Sequence, residues 1–536
     1  MLLCNFLIER LSNAGVKHVF GVPGDCVLEF YNQLWKSKDV ELITNTDEAH
    51  SGFAADAYAR ISGIGCVVVT YGVGASKVIN AVQCAYAERS PLIVISGAAG
   101  IRERDEGIIL PHVGSQKAMF DKITCASIVL DNQVTAGYLI DSAFETMRHY
   151  KQPIYIELPR DMVTKSISYD VYKQGTPTGP ESNKEELTES LEEVELWVKK
   201  SSRPVIVAGV ELARCQLGEA LIKFAERNNI PLTTTLLSKS VVSEMHPLFS
   251  GIYCGDASKT SVKQLVENSD CLLMLGVLAT DNIPGSIPLK KKKQLAVAAD
   301  IRELRVRNHV YANVKFMDFC KSLFKKDFGR GGINPIRVSV QLAAFSPEQR
   351  EITTTRLFEK INTILDEDTI VVCDQGDCMY GAADLVMHSS HRFLCPAFYT
   401  SMGVAVPGAL GVMTASPTSR VIAVVGDGAA QMSLLELSTI LNRGLNPVII
   451  ILNNDGYLTE RLITDGDYNN IRQWDYHKIT DLIRGGTGYF VSDEMELDKA
   501  VDTALASKQL SVINVKLAKG SMSEGLKRVQ LAMVGK

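Results

Sequence analysis

Two turns rich in glycine and in acidic or amide side chains lie in the last third of the chain, Gly426-Asp427-Gly428 and Asn453-Asn454-Asp455-Gly456. Asp427 offers a hard carboxylate, and Mg2+ is usually bound by one or two protein carboxylates together with phosphate oxygens and water. Glycines let the backbone approach a phosphate closely, and the amides at a helix N-terminus attract its oxygens. The two turns therefore predict a site for Mg2+ and a diphosphate, with Asp427, the Asn454 side chain and the Gly456 carbonyl as metal ligands.

The elements around these turns should bring them to one edge of a sheet. The segment VIAVVGDGAAQMSLLELSTILNRGLNPVIIILNNDGY indicates a strand, a glycine turn, a helix that stops at Gly444, and a second strand after Pro447. Ligands of open α/β sheets bind at the carboxyl ends of the strands, which is where both turns fall. Either turn alone is more often structural, whereas the pair on consecutive strands is far more specific.

A second glycine loop, YGVGASKV at 71–78, favours no nucleotide site. It lacks the Gly-Lys-Ser/Thr ending of a Walker A loop, and Lys77 stands where a dinucleotide-binding fingerprint needs its third glycine.

Short runs rich in Val and Ile alternate with longer amphipathic stretches along the whole chain, which is typical of parallel sheets with crossover helices. The fold class is therefore predicted as α/β, with three doubly wound parallel-sheet domains at 1–165, 190–325 and 350–525, separated by polar linkers. The first and third domains could be structural copies of one another. The predicted strands include GCVVVTYG (65–72), PLIVISGAA (91–99), RPVIVAGVE (203–211), CLLMLGV (271–277), TIVVCDQG (369–376), VIAVVGDG (421–428) and PVIIILNND (447–455).

Composition excludes several classes of protein. In 536 residues, 46% are hydrophobic and 22% charged with a net charge of -5, which predicts neither nucleic-acid binding nor an anionic-membrane surface. The basic run Lys290 to Lys293 is interpreted as a solvated approach to a strand. The N-terminus has helical spacing rather than a signal peptide, and no apolar window is long enough to span a membrane. The 12 cysteines form no C-x-x-C pair, which suits reduced thiols in the cytoplasm rather than structural zinc.

The GDG and NN pair resembles the signature of thiamine diphosphate enzymes, and its neighbours resemble the pyruvate, indolepyruvate and phenylpyruvate decarboxylase family over nearly the whole chain. The likeness rests on KHVFGVPGDCVLEF, DEAHSGFAADAYAR, TYGVGASKVINAV, ERSPLIVISGA, SRPVIVAG, HPLFSGIYCG, NNDGYLTE and DGDYNNIRQWDY. It implies pyrimidine-binding, central and diphosphate-binding domains, with thiamine diphosphate and Mg2+ as cofactors. It also implies a homodimer or homotetramer whose active sites lie between the first domain of one subunit and the third domain of another.

The resemblance assigns cofactor contacts to particular residues. Glu48 matches the glutamate that hydrogen-bonds the aminopyrimidine ring, although Asp47 and Glu48 could also merely stabilise a helix N-terminus. The Thr400 carbonyl would accept from the 4'-amino group, and Met402 would support the bent cofactor. The remaining positions implied at the cofactor are Gly376, Asp377, Gly426, Gly428 and Tyr457.

Three further residues match the family's acid and base groups: Asp25 in PGDCVL, His112 in LPHVGSQ and Glu460 in GYLTE. Carboxylates in a water-poor pocket acquire the separated pKa values that proton transfer near neutrality requires. Each also has an ordinary alternative as a turn, loop or helix-surface residue.

The chain departs from the family's pattern in two places. Pro111 precedes His112 where pyruvate decarboxylases carry two adjacent histidines, and the loop to Phe120 is shorter, so one proton relay is missing or moved. The pocket also differs and should admit a side chain larger than methyl, with Cys26, Met379, Thr459 and Ile463 as its lining.

The expected reaction is the non-oxidative decarboxylation of a 2-oxo acid to an aldehyde and CO2. Two alternatives stay open. A thiamine-dependent carboligase that forms 2-hydroxyketones, similar to acetohydroxyacid synthase or benzaldehyde lyase, is favoured by the altered His112 loop and opposed by Glu460 and the DYNNIRQWDY stretch. A cofactor-binding scaffold without chemistry is opposed by Glu48, Asp25 and Glu460.

Overall fold

The structure is a computed structural model that describes residues 1–105, 116–167, 181–278, 295–330 and 344–534. Two predictions, the Pro111-His112 relay and the basic run Lys290 to Lys293, lie outside these ranges. Among the described residues, no helix is both long enough and apolar enough to cross a membrane.

The N-terminal sheet is wholly parallel, with its six strands in the order β2-β1-β3-β4-β6-β5. The predicted N-terminal helix forms as expected, because its apolar residues recur on one face that packs into the core. The elements in chain order are α1 (Leu3–Asn13), β1 (His18–Gly21), α2 (Leu28–Lys36), β2 (Glu41–Thr44), α3 (Glu48–Ser62), β3 (Gly65–Val69), α4 (Val73–Ala87), β4 (Leu92–Ala98), α5 (Ile101–Asp105), α6 (Gln116–Phe120), β5 (Ala126–Val129), α7 (Ala136–Tyr150) and β6 (Ile154–Pro159).

The central sheet has seven strands in the order β13-β12-β11-β10-β7-β8-β9. It is not purely parallel, because β12 runs antiparallel to both of its neighbours at one edge. Its elements are α8 (Lys184–Lys200), β7 (Pro204–Ala208), α9 (Val210–Arg214), α10 (Gly218–Asn228), β8 (Leu232–Thr234), β9 (Phe249–Ile252), α11 (Thr260–Glu267), β10 (Cys271–Leu275), β11 (Leu295–Ala299), β12 (Leu304–Val306), β13 (His309–Val310) and α12 (Phe316–Leu323).

The C-terminal sheet is again wholly parallel, in the order β15-β14-β16-β17-β19-β18. Counted within each domain, this order repeats that of the N-terminal sheet, so the predicted structural duplication is confirmed. Its elements are α13 (Thr354–Thr363), β14 (Thr369–Cys373), α14 (Asp377–Ala382), β15 (Phe393–Leu394), α15 (Ala405–Ala415), β16 (Arg420–Gly426), α16 (Asp427–Ser433), α17 (Leu437–Asn442), β17 (Val448–Asn453), α18 (Leu458–Ile463), α19 (Ile479–Leu482), β18 (Thr487–Val491), α20 (Glu494–Ala506), β19 (Ser511–Lys516) and α21 (Glu524–Val534).

The chain divides into two compact units. The first unit comprises Met1–Gly179, Tyr399–Thr418 and Gln431–Pro447, and the second comprises Pro180–Phe398, Ser419–Ala430 and Val448–Lys536. The first unit therefore takes α15 and α17 from the distal part of the sequence. A Cβ on Gly411 of α15 would overlap the Ala54 carbonyl of α3, so this glycine allows the two helix backbones to pack at close range.

Candidate active site

Asp427 is the centre of the predicted metal site, and it lies where strand β16 gives way to helix α16 in the second unit. Its carboxylate accepts hydrogen bonds from the Gly428 amide at 2.8 Å and from the Gly456 amide at 3.0 Å. Strands β16 and β17 are paired in parallel register, so their carboxyl ends bring the two predicted turns together. The predicted approach of Gly456 to Asp427 is thus present in the structure.

Asp427 is a buried carboxylate, and burial disfavours its charged form. The side chain is almost fully buried, and burial raises its pKa, although hydrogen bonds from Gly456, Gly428 and Gln473 oppose that rise. Asn454 is also buried, and the Oε1 atom of Gln473 has no hydrogen-bond partner within the described part of the chain. A buried carboxylate, a neighbouring amide and an unsatisfied acceptor fit a hard, partly hydrated cation such as Mg2+.

Open space lies beside two of the predicted cofactor glycines. A Cβ on Gly376, whose φ is +95°, would meet nothing within 4 Å, and one on Gly426 would meet only the Cys378 sulfur at 3.9 Å. Gly428 is different, because a Cβ there would overlap the Tyr457 ring. The backbone at Gly376 and Gly426 is therefore open to a ligand, whereas Tyr457 packs against Gly428.

Asp377 is held by the C-terminal helix. Its carboxylate accepts hydrogen bonds from the Ser523 amide at 2.9 Å and from the Ser523 hydroxyl. Burial raises its pKa to about 6, although the two Ser523 bonds oppose that rise. Asp377 is thus bound to the residue that precedes α21 (Glu524–Val534).

The Asn453-to-Gly456 turn is held by residues that the sequence analysis did not identify. The Arg461 guanidinium donates to the carbonyls of Asp455 at 2.9 Å and Asn469 at 3.1 Å. The Asn469 carbonyl also accepts from the Tyr457 amide at 2.9 Å. The motif DYNNIRQWDY contains Asn469, but nothing in that motif indicates that the Asn469 carbonyl contacts Arg461.

Glu460 is exposed on helix α18, and its charge contributes to the raised pKa of Tyr380. Burial raises the pKa of Tyr380 to about 12; a hydrogen bond with Gln375 opposes this rise and the Glu460 charge adds to it. Of the predicted pocket residues in this unit, Thr459 is half-buried and Ile463 is exposed, whereas Met379 is completely buried in the core.

In the first unit, Glu48 is the first residue of helix α3, and Asp47 caps that helix by accepting from the Ala49 amide at 2.8 Å. The N-terminal stabilisation expected of this pair is therefore provided by Asp47. The buried Glu48 carboxylate instead pairs with Lys77, at 3.0 Å between Oε2 and Nζ.

Asp25 and Cys26 follow strand β1, at the same carboxyl edge of the N-terminal sheet from which Glu48 follows β2. Asp25 is exposed, and Cys26 is half-buried against Tyr71, Ala98 and Ala99. Burial raises the pKa of the Cys26 thiol, and the Asp25 charge adds to the effect.

Thr400 and Met402 lie on a strained turn of the first unit. Thr400 has a φ of +60°, which is unusual for a β-branched residue, and Met402 is half-buried. Ser401 between them accepts a hydrogen bond from Asn80 on helix α4 at 3.0 Å. This bond ties the strained turn to the N-terminal domain.

A buried network in the first unit escaped the sequence analysis. Glu436 accepts from Asn45 at 2.8 Å and from the Thr46 hydroxyl at 2.6 Å, and it pairs with His50 at 3.2 Å. Burial opposes the charge on His50, but the bond to Glu436 outweighs it and raises the pKa of the imidazole. No motif signals this network, since Glu436 is far in sequence from its three partners.

A cavity of about 500 Å³ lies elsewhere in the second unit, among residues of β9, α11, α14 and α21. None of the predicted cofactor or metal residues lines it. The predicted metal residues Asp427, Asn454 and Gly456 lie instead at the carboxyl ends of strands β16 and β17.

The chain matches three domains of thiamine pyrophosphate (thiamine diphosphate) enzymes: the N-terminal TPP binding domain over residues 1–123, the central domain over 191–326 and the C-terminal TPP binding domain over 374–515. It is 32% identical to pyruvate decarboxylase 1 of Arabidopsis thaliana, over 97% of this chain and 89% of the relative. It is 29% identical to indole-3-pyruvate decarboxylase of Azospirillum brasilense, over 98% and 97%. Pyruvate decarboxylase 1 of Pisum sativum is 31% identical, over 94% and 88%.

Proposed function

The chain belongs to the thiamine diphosphate-dependent 2-oxo acid decarboxylase family, and we propose that it converts the anion of a 2-oxo acid and a proton into an aldehyde and CO2 without oxidation. The observation that carries the proposal is the buried Asp427 carboxylate, which faces the Asn453-to-Gly456 turn beside open space at the strand ends. As a family member, the chain is a carbon–carbon lyase.

The proposed metal ligands are Asp427, the Asn454 side chain and the Gly456 carbonyl, with Mg2+ as the ion. Burial supports this assignment, because a cation would offset the unfavourable charge on Asp427. When bound, thiamine diphosphate supplies a thiazolium that accepts the electron pair left by departing CO2.

The protein's own groups are proposed to move protons. Glu48 holds a proton at the ring nitrogen of the aminopyrimidine, and its buried position supports this role because water competes little for the carboxylate. Glu460 is assigned to the substrate side of the reaction, near the departing CO2. Asp25 and His112 are assigned to aldehyde release, although His112 lies outside the described residues.

The substrate is proposed to carry a side chain larger than the methyl group of pyruvate. Thr459, next to Glu460 on helix α18, is small and half-buried, which supports room for a larger substrate than a bulkier residue would leave there. The names of the relatives cover both a small and a large 2-oxo acid, pyruvate and indole-3-pyruvate.

The protein is proposed to act as a homodimer or a homotetramer. In the family, the active site combines the first domain of one subunit with the third domain of another, so a monomer would hold no complete site. Light scattering coupled to size exclusion checks this, and a monomer that retains full activity would contradict it.

A panel of 2-oxo acids of increasing side-chain size, with Mg2+ and thiamine diphosphate, tests the proposed reaction. We expect CO2 and the matching aldehyde, with kcat/KM rising from pyruvate to larger substrates. Exclusive formation of 2-hydroxyketones would identify a carboligase instead, and cofactor binding without CO2 from any acid would identify a scaffold.

The Glu48→Gln variant, measured with the same panel, tests the proposed role of Glu48. It should bind thiamine diphosphate with nearly unchanged affinity, because the diphosphate end lies on other residues, while turnover falls by at least about 100-fold. Retained turnover would remove Glu48 from its assigned role.

A further inference from the structure

We propose that Lys77 is a positioning residue for Glu48, holding one carboxylate oxygen so that the other faces the aminopyrimidine ring of the cofactor. This inference rests on the proposed role of Glu48. In the sequence, Lys77 is notable only as the residue that breaks a glycine pattern, and nothing in that pattern links it to Glu48.

The ion pair has a defined geometry. Lys77 lies in helix α4, and its Nζ atom is 3.0 Å from Glu48 Oε2 while it also pairs with Asp47. Asp47 is itself fixed, because its other oxygen caps helix α3 through the Ala49 amide. Lys77 therefore links Glu48 Oε2 to Asp47, a residue that is itself hydrogen-bonded to helix α3.

The second carboxylate oxygen of Glu48 lies over a glycine. A Cβ placed on Gly74 would be 3.2 Å from Oε1 and 3.1 Å from the Thr70 side chain, so only a glycine leaves room for Oε1 here. Gly74 is in the first turn of helix α4, whose amides favour negative charge. The two oxygens are thus in different settings, since Oε2 pairs with an ammonium group and Oε1 lies against the Gly74 backbone.

The surrounding charges give Lys77 a specific task. Asp47 and Glu48 are adjacent carboxylates that repel each other unless a cation lies between them. Tyr31 approaches Glu48 but donates its hydroxyl to the Val68 carbonyl at 2.9 Å. His50, the other cationic candidate on helix α3, is held by the buried Glu436. Lys77 is the neighbour whose charge holds both carboxylates.

The pair with Asp47 also leaves Lys77 anchored when the cofactor arrives. Its hydrogen bond with Asp47 is the largest cause of the raised pKa of the ammonium group, and the bond with Glu48 adds to it. About half of the Lys77 side chain is exposed, whereas Glu48 is nearly buried. The lysine therefore contacts the carboxylate from its more exposed side.

The test uses Lys77→Met, Lys77→Arg and a control, Lys117→Met, which removes an exposed lysine paired with Asp121 at 2.7 Å. Two quantities are measured on the holoenzyme: the dissociation constant of thiamine diphosphate and the rate of deuterium exchange at its C2 atom, by quenched NMR without substrate. Lys77→Met should slow exchange by about 10-fold, because a misplaced group costs up to about 100-fold. The dissociation constant should change by less than about threefold, since the residues proposed for the diphosphate end are untouched.

The proposal requires that Lys77→Arg restore the exchange rate and that Lys117→Met leave it unchanged. Lys77→Arg should recover most of the exchange rate because it keeps the cation, and Lys117→Met should match the wild type. Unchanged exchange in Lys77→Met, while Glu48→Gln is impaired, would overturn this proposal alone. Wild-type exchange in Glu48→Gln would overturn the role of Glu48 and this inference with it.

The double variant Lys77→Met/Glu48→Gln separates positioning from a general loss of structure. If Lys77 acts through Glu48, removing it from the Glu48→Gln enzyme should slow exchange no further. An equal slowing in both backgrounds would mean that Lys77 acts by another route, and the proposal would be wrong.

Discussion

Replacing Gly456 with alanine should disrupt the metal end of the active site far more than an ordinary glycine substitution. Gly456 has a φ of +122°, a conformation that side-chain-bearing residues rarely adopt. A Cβ there would also overlap the Asn469 carbonyl oxygen and lie 3.1 Å from the Arg461 guanidinium. The substitution therefore meets both backbone strain and a clash with groups that hold the turn.

The two effects can be added. The positive φ costs about 1–2 kcal/mol and the overlap about 1–3 kcal/mol, together about 2–5 kcal/mol. The turn can relieve this strain only by moving away from Asp427, to which the Gly456 amide now donates. Cofactor binding must then restore the turn, which weakens the dissociation constant by about 30-fold to 4,000-fold.

The matched control is Gly329→Ala. Gly329 has a φ of +70°, but a Cβ there would meet nothing within 4 Å, so it carries the strain without the clash. Calorimetric titration of thiamine diphosphate in the presence of Mg2+ measures both variants. A dissociation constant for Gly456→Ala within threefold of that for Gly329→Ala would refute the view that this turn is rigid and tightly enclosed.

Three further outcomes are expected. The charged form of His50 stabilises the first unit, and this stabilisation is complete when the pH is below the ordinary histidine pKa of about 6.5. It is lost as the pH rises through the raised pKa of the folded state. His50→Asn should thus lower the melting temperature more at pH 6 than at pH 9, and an equal loss at both would disprove coupling to Glu436. Refolding an equal mixture of inactive Glu48→Gln and Asp427→Ala subunits should restore about a quarter of wild-type activity if each site combines two subunits; no recovery would count against shared sites. Arg461→Met removes one hydrogen bond to the Asp455 carbonyl of the Asn453-to-Gly456 turn and one to the Asn469 carbonyl, and should weaken Mg2+-dependent cofactor affinity by about 10-fold; unchanged affinity would show that the turn keeps its conformation without Arg461.

Local features of the sequence predict much of the fold. The seven Val- and Ile-rich runs all form strands, because each is flanked by turn residues and buried on both faces. Gly444 ends helix α17 with a φ of +65°, as its position after an amphipathic stretch predicts. The approach of Asp427 to Gly456 was also predictable, since it follows from two consecutive parallel strands.

Contacts between distant segments could not be predicted in the same way. Arg461 donates to backbone carbonyl groups, which every residue has, so the types of the neighbouring residues do not reveal these contacts. Glu436 meets His50 across a separation of several hundred residues, and a single sequence carries no signal for such a pair. The antiparallel edge of the central sheet was missed because β12 and β13 are too short to show a period.

The membership of α15 in the first unit has a consequence for synthesis. Helix α3 packs its Ala54 backbone against Gly411, yet α15 leaves the ribosome long after the N-terminal domain is complete. At typical translation rates this delay is about 10–50 s, during which the apolar face of α3 has no native cover. The N-terminal domain is therefore expected to need chaperone protection while it is nascent, and to aggregate when expressed alone.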